Sequence, residues 1–176
     1  DSQTTHTQQN VNTNSSTTTN SGTDTTLLSP SDINLTKDIQ EGKISNYDPH
    51  DPIEDQYLSV VNYLRSLAIK CNDDTALEGP AGSDLDWNNL LEESSKEHSE
   101  DMRLSEHYDH VGSGTSSDKT AVGLGLSKGS SPFERMTFNG YDFTTASENI
   151  AKVARYPELE ENEWLNIMQE WMKSDE

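Results

Sequence analysis

Apolar side chains fall along this chain in blocks. Residues 1–26 hold a single valine and no aromatic residue, and Thr, Ser, Asn and Gln fill most positions. Such a stretch buries too little surface to offset its chain entropy and is expected to be disordered. Scattered apolar residues follow between 27 and 50 without a usable period, and no element is assigned there. Residues 1–50 therefore read as a Ser/Thr/Asn-rich linker. The first helical period opens at Asp51-Pro52-Ile53-Glu54, which offers an N-cap, a proline at the first helical position and an acid three residues after the cap. Tyr57, Val60, Val61, Leu64, Leu67 and Ala68 then recur at helical spacing, predicting a helix over 52–70.

A polar loop containing glycines leads to a second helix over 87–104, with Asp86 as its expected cap. Its inner face is expected to carry Trp87, Leu90, Leu91, Ser94, His98 and Met102. Residues 105–147 are rich in Gly, Ser and Thr and read as long loops. An apolar interval (AVGLGL) and a short helix around Phe133-Glu134-Arg135-Met136 interrupt them. Residues 147–153 (SENIAKV) are the best strand candidate, and a third helix is expected to open near Pro157. It presents Trp164, Ile167, Met168, Trp171 and Met172 on one face. A single strand leaves its backbone groups without a ladder, so this inventory predicts a domain over 51–176 that is incomplete at its C-terminal end.

Charge narrows the partners. The chain carries 32 acids against 12 Lys and Arg, a formal net charge of −20. Six acids and two lysines lie in the first 50 residues, which leaves residues 51–176 near −16. Such a field repels polyanions, so nucleic acid and anionic membrane surfaces are excluded as partners of choice. Divalent cations and cationic ligands are favoured, although acidity most often serves solubility alone. No window reaches the roughly 18 apolar residues of a membrane span. The chain opens on Asp1 without an apolar leader, which is expected of a protein that has lost a signal segment or was cut from a longer one.

Candidate chemistry is sparse. Four histidines lie beyond the leading tail: His50, His98, His107 and His110. His107-Tyr108-Asp109-His110 has the spacing of half a metal site but matches neither the zinc helix motif nor its inverse. His98, on the inner face of the second helix, reads as a hydrogen-bonded core residue. His110 precedes Val111-Gly112, where a side chain can project into a cleft, and Glu148 opens the strand candidate. An imidazole and a carboxylate make a divalent metal site only with further ligands; the same pair can act as base and acid. No nucleophile elbow or phosphate loop accompanies them, and the single cysteine, Cys71, has no histidine near it in sequence.

The order of short motifs is more particular. Asn62-Tyr63-Leu64-Arg65 is followed by Leu85-Asp86-Trp87-Asn88, Glu97-His98-Ser99-Glu100-Asp101-Met102 and Tyr108-Asp109-His110. Glu134-Arg135, Asn139-Gly140-Tyr141, Ser147-Glu148-Asn149-Ile150-Ala151 and Trp171-Met172-Lys173-Ser174 complete the series. This succession, spanning about residues 55–176, resembles a bacterial member of the CAP superfamily (cysteine-rich secretory, antigen 5 and pathogenesis-related proteins). The resemblance implies an α+β fold, an α-β-α sandwich with helices on both faces of a small antiparallel sheet, here lacking its C-terminal strands. It marks His110 and Glu148 as the first histidine and first glutamate of a cleft that binds a divalent metal such as zinc in some members. It places the second histidine past Glu176 and implies that Cys71 is half of a disulfide with a partner beyond that residue. An acid that animal and plant members often carry after the last matched tryptophan is replaced here by Ser174.

From this follows the expectation of a secreted or cell-surface binding module without established catalysis, taking a small molecule, a lipid or a protein. A metal-dependent hydrolase of peptidase type, using His110 and Glu148, is the alternative. A structural display module is the third.

Overall fold

The structure, a computed structural model, describes residues 28–69, 83–153 and 163–173. In these residues a 3₁₀ turn, Pro30–Asp32, precedes six α-helices: α1 (Leu35–Gln40), α2 (Ile53–Ser66), α3 (Asn89–Ser105), α4 (Lys119–Leu124), α5 (Pro132–Phe138) and α6 (Glu163–Lys173).

One half of the interior is apolar. In α2 the expected stripe turns inward, with Val60 and Leu64 buried and Tyr57 and Val61 packed at the edge. Glu54 and Asp55 in the first turn and Arg65 in the last suit the helix dipole. The predicted cap shifts by one residue: Pro52 takes the N-cap position and no side chain caps the helix. From α6, Leu165 and Met168 meet this stripe, and the rings of Tyr57 and Trp164 stack at 4.8 Å. The scattered apolar residues of the linker join them. Ile33, Leu35 and Ile44 are buried in the same cluster. Ser29 starts the 3₁₀ turn through a capping box, and Asn34 caps α1 by accepting the Lys37 N–H. Those two caps point Ile33 and Leu35 at α6. Residues 1–27 lie outside the described structure, as do Cys71 and the expected helix start near Pro157.

The other half is polar. Asn88, rather than Asp86, caps α3, accepting the N–H groups of Leu90 and Leu91. The buried face of α3 is Ser94, Glu97, His98 and Asp101, while Leu90 and Trp87 stay about 40% exposed. Its inner face is therefore rotated from the hydrophobic reading. The cause lies in the loops behind it, whose backbone donors need acceptors. Glu97 accepts the Thr120 N–H and an Asn139 amide proton. Asp101 accepts the N–H and hydroxyl of Ser113 and the hydroxyl of Ser117. Asp118, 1% exposed, caps α4 through Ala121 N–H and also accepts Gly114 N–H, Ser130 N–H and the Ser130 hydroxyl. Burial pushes the Asp118 carboxyl up, but these hydrogen bonds outweigh it and hold the group below its ordinary value. The loops close further where Gly112 donates its N–H to the Ser130 carbonyl at 2.7 Å. A side chain at Gly112 would meet Asp118 and Ser130, and one at Gly129 would overlap the Gly112 carbonyl.

The expected α-β-α sandwich is not what the chain forms. The described residues are helical and contain no sheet, and their one β-bridge pairs Leu28 with Ile69 in parallel. Residues 147–153 take no regular secondary structure, and among the described residues no backbone hydrogen bond joins them to another segment. Without a ladder to join, the segment does not become a strand. Side chains hold it instead: Glu148 reaches Arg135 and His110, and the Ile150 carbonyl accepts the Trp171 indole N–H at 3.2 Å.

Candidate functional site

A capping box builds the floor of the site. Ser131 accepts the Glu134 N–H, Glu134 accepts the Ser131 N–H, and Pro132 takes the first helical position, fixing where α5 begins. Arg135 then falls one turn in and is buried, 1% exposed. Its Nη1 donates to the Ser130 carbonyl at 2.7 Å. Its Nη2 donates to the His110 carbonyl at 3.0 Å and to both Glu148 oxygens, Oε1 at 2.9 Å and Oε2 at 3.1 Å.

His110 rises from the turn after α3, where Asp109 accepts the Val111 N–H. Its ring is about half exposed, and its Nδ1 lies 3.0 Å from Glu148 Oε2. A carboxylate paired with a buried guanidinium is an acceptor, so the proton of this bond sits on Nδ1. In the neutral ring Nε2 is then the nitrogen without a proton. His98 lies beneath, with Nε2 3.9 Å from Glu148 Oε2 and 2.9 Å from the Asp109 carbonyl. The carbonyl accepts only, so Nε2 carries the His98 proton, and Nδ1 is buried with no partner among the described residues. Burial, reinforced by the Arg135 charge, lowers the His98 pKa against the opposing pull of Glu148, keeping this imidazole neutral near pH 7.

The exposed edge of this pair opens into a cleft of about 490 Å³ between the 108–110 turn and residues 147–150, with Trp171 of α6 at its side. Its lining combines the polar Asp109, His110, Glu148 and Asn149 with the larger rings and apolar side chain of Tyr108, Trp171 and Ile150. A groove of about 540 Å³ runs along Trp87 and the outer face of α3, and another of about 660 Å³ lies beside Met102, Tyr108 and Val153. Neither brings an imidazole against a carboxylate.

The two residues expected to share a metal thus meet, although 38 positions separate them. They fit a zinc site poorly. Both Glu148 oxygens are engaged, the Arg135 guanidinium sits where a cation would be repelled, and His98 has committed Nε2 to a carbonyl. Among the described residues that leaves His110 Nε2, since the other free nitrogen, His98 Nδ1, is buried, whereas catalytic zinc takes three ligands from the protein and structural zinc four. Among the described residues no group of three or more His, Cys, Asp or Glu side chains is arranged to hold a metal ion. His107 is exposed in the turn and His50 lies exposed before α2. Sequence reasoning missed the part played by Arg135. It stands in the Glu134-Arg135 motif of the resemblance, but only the fold turns it toward Glu148.

No family model, curated protein or solved structure matches this chain. No helix among the described residues is long and apolar enough to cross a membrane.

Proposed function

We propose that this chain is a secreted or cell-surface binding module, of the kind its CAP-like motifs suggest, that takes a small amphipathic molecule in the His110–Glu148 cleft. The observation that carries the reading is the hydrogen bond between His110 Nδ1 and Glu148, made in the lining of a cleft that Tyr108, Ile150 and Trp171 also line. A carboxylate-held imidazole presents one oriented acceptor, Nε2, suited to a hydroxyl or protonated amine of a ligand. Ile150, Tyr108 and Trp171 offer surface for an apolar tail. Ligand sites combine an apolar lining with a few placed polar groups in this way. The strongly acidic surface disfavours anionic ligands, so a neutral or zwitterionic head group is the better match.

The test is an NMR titration of the full chain with a short-chain lysophosphatidylcholine below its micelle concentration. Saturable shifts of the Trp171 indole and His110 imidazole signals are expected, with the His110 response and most of the affinity lost in His110→Ala. Absence of a saturable shift at both residues would sink the reading.

A further inference from the structure

We infer that Arg135 is the positioning residue of this cleft, setting the orientation and tautomer of His110 through Glu148. The inference rests on the binding reading above for its purpose, but its geometry is independent of any ligand. Arg135 closes a ring of contacts. The same Nη2 that grips both Glu148 oxygens also donates to the His110 carbonyl, and Glu148 in turn accepts the His110 ring proton. Backbone and side chain of His110 are therefore referenced to one guanidinium. That guanidinium is anchored by Nη1 on the Ser130 carbonyl and is almost wholly buried.

Without this ring two motions open. Glu148 sits on a segment that makes no backbone hydrogen bond to another segment among the described residues, so its carboxylate would be free to swing. His110, half exposed, would then lose the acceptor that selects the Nδ1–H form, and the ring would return to the mixture of tautomers typical of a solvated imidazole. Lysine cannot replace the arginine. An ammonium is a point charge on a flexible stem with a single nitrogen, so it cannot hold Glu148 and the His110 carbonyl while a second, rigidly linked nitrogen is anchored on the Ser130 carbonyl. Arg135 touches no ligand in this scheme; it acts only through Glu148 and His110.

The experiment uses the full chain labelled with ¹⁵N-histidine, with long-range ¹H–¹⁵N spectra recorded at pH 8. Wild type is expected to show His110 as the Nδ1–H tautomer. Arg135→Lys, checked as folded by near-UV circular dichroism, is expected to lower the Nδ1–H to Nε2–H ratio at His110 several-fold, and Glu148→Gln to do the same with Arg135 intact. A folded Arg135→Lys protein whose His110 stays wholly Nδ1–H would overturn the inference. If that variant does not fold, the wild-type guanidinium decides. Separate resonances for the Arg135 Nη protons at low temperature support a clamped group, and a single averaged resonance refutes it. Failure of lysophospholipid binding with the tautomer as expected would remove the proposed ligand and leave this positioning role standing.

Discussion

Gly129→Ala is the sharpest probe of how the polar half holds together. The added Cβ would overlap the carbonyl of Gly112, a backbone atom that cannot rotate away. Relief requires residues 112 and 129–130 to separate, which breaks the Gly112 N–H to Ser130 carbonyl bond and strains the two bonds from Ser130 to Asp118. A neutral hydrogen bond contributes about 1 kcal/mol and each bond to an ionised group about 1.5–3 kcal/mol. Partial relaxation returns some of this, so a loss of about 3–5 kcal/mol is expected, equivalent to a fall of roughly 6–20 °C in Tm for a chain of this size. The comparison is Gly125→Ala. Gly125 closes α4 at φ 65° with nothing within 4 Å of the new methyl, so only the left-handed backbone is penalised, by about 1–2 kcal/mol. Urea unfolding of both variants, followed by tryptophan emission, measures the difference. If Gly129→Ala proves no more destabilising than Gly125→Ala, the close crossing of the two loops is not a determinant of stability.

Three further outcomes are expected. Leu35→Ala should lose about 2–5 kcal/mol, because Leu35 is fully buried in the apolar cluster; a change under about 0.5 kcal/mol would show that the 28–50 segment does not pack there. Acid should act in two windows. Folded His98 has a pKa below its unfolded value near 6.5, so its contribution is complete above that pH and is lost as pH falls from it toward the folded value. Asp118, also lowered, contributes above its unfolded value near 3.8, and that contribution is lost as pH falls through its folded value. Urea midpoints from pH 8 to 3 should show both windows, with His98→Gln flattening the first alone; an unchanged slope between pH 7 and 5 in that variant contradicts the assignment. Finally, zinc at a hundredfold excess over a real site's Kd would add about 2.7 kcal/mol of stability. Wild type and His110→Ala should instead respond equally in thermal melts, and a zinc-dependent gain confined to wild type would restore a metal at His110.

Periodicity found the helices whose core contacts repeat along one face. α2 follows that rule through Val60 and Leu64 and α6 through Met168, although Leu165, the most buried residue of α6, lies outside the face expected for it. It failed at α1, whose six residues are too short for a repeat and whose Leu35 is buried in a cluster shared with α2 and α6. It also misjudged the inner face of α3. Hydropathy favours Trp87 and Leu90, but Glu97 and Asp101 are buried because donors from residues 113–120 and 139 converge on them. No window of α3 alone contains that information. His110 and Glu148 could be named from the resemblance, and their meeting is a tertiary fact. Residues 147–153 carry strand-like side chains, yet the decisive quantity, a neighbouring backbone to pair with, is not a property of the segment.

The interior is divided by chemistry, and the division gives the molecule two separate sensitivities. The apolar half, built on the 28–50 segment, α2 and α6, should govern the heat capacity of unfolding and hence the response to temperature. The carboxylate-centred half, built on α3, α4 and α5, should govern the response to protons. The cleft takes His110 and Glu148 from the second half and Trp171 from the first, and the indole bond from Trp171 to Ile150 spans the seam. A ligand resting on both walls would therefore brace the seam, and because binding to the folded state stabilises it as a whole, the melting temperature and the acid tolerance should rise together.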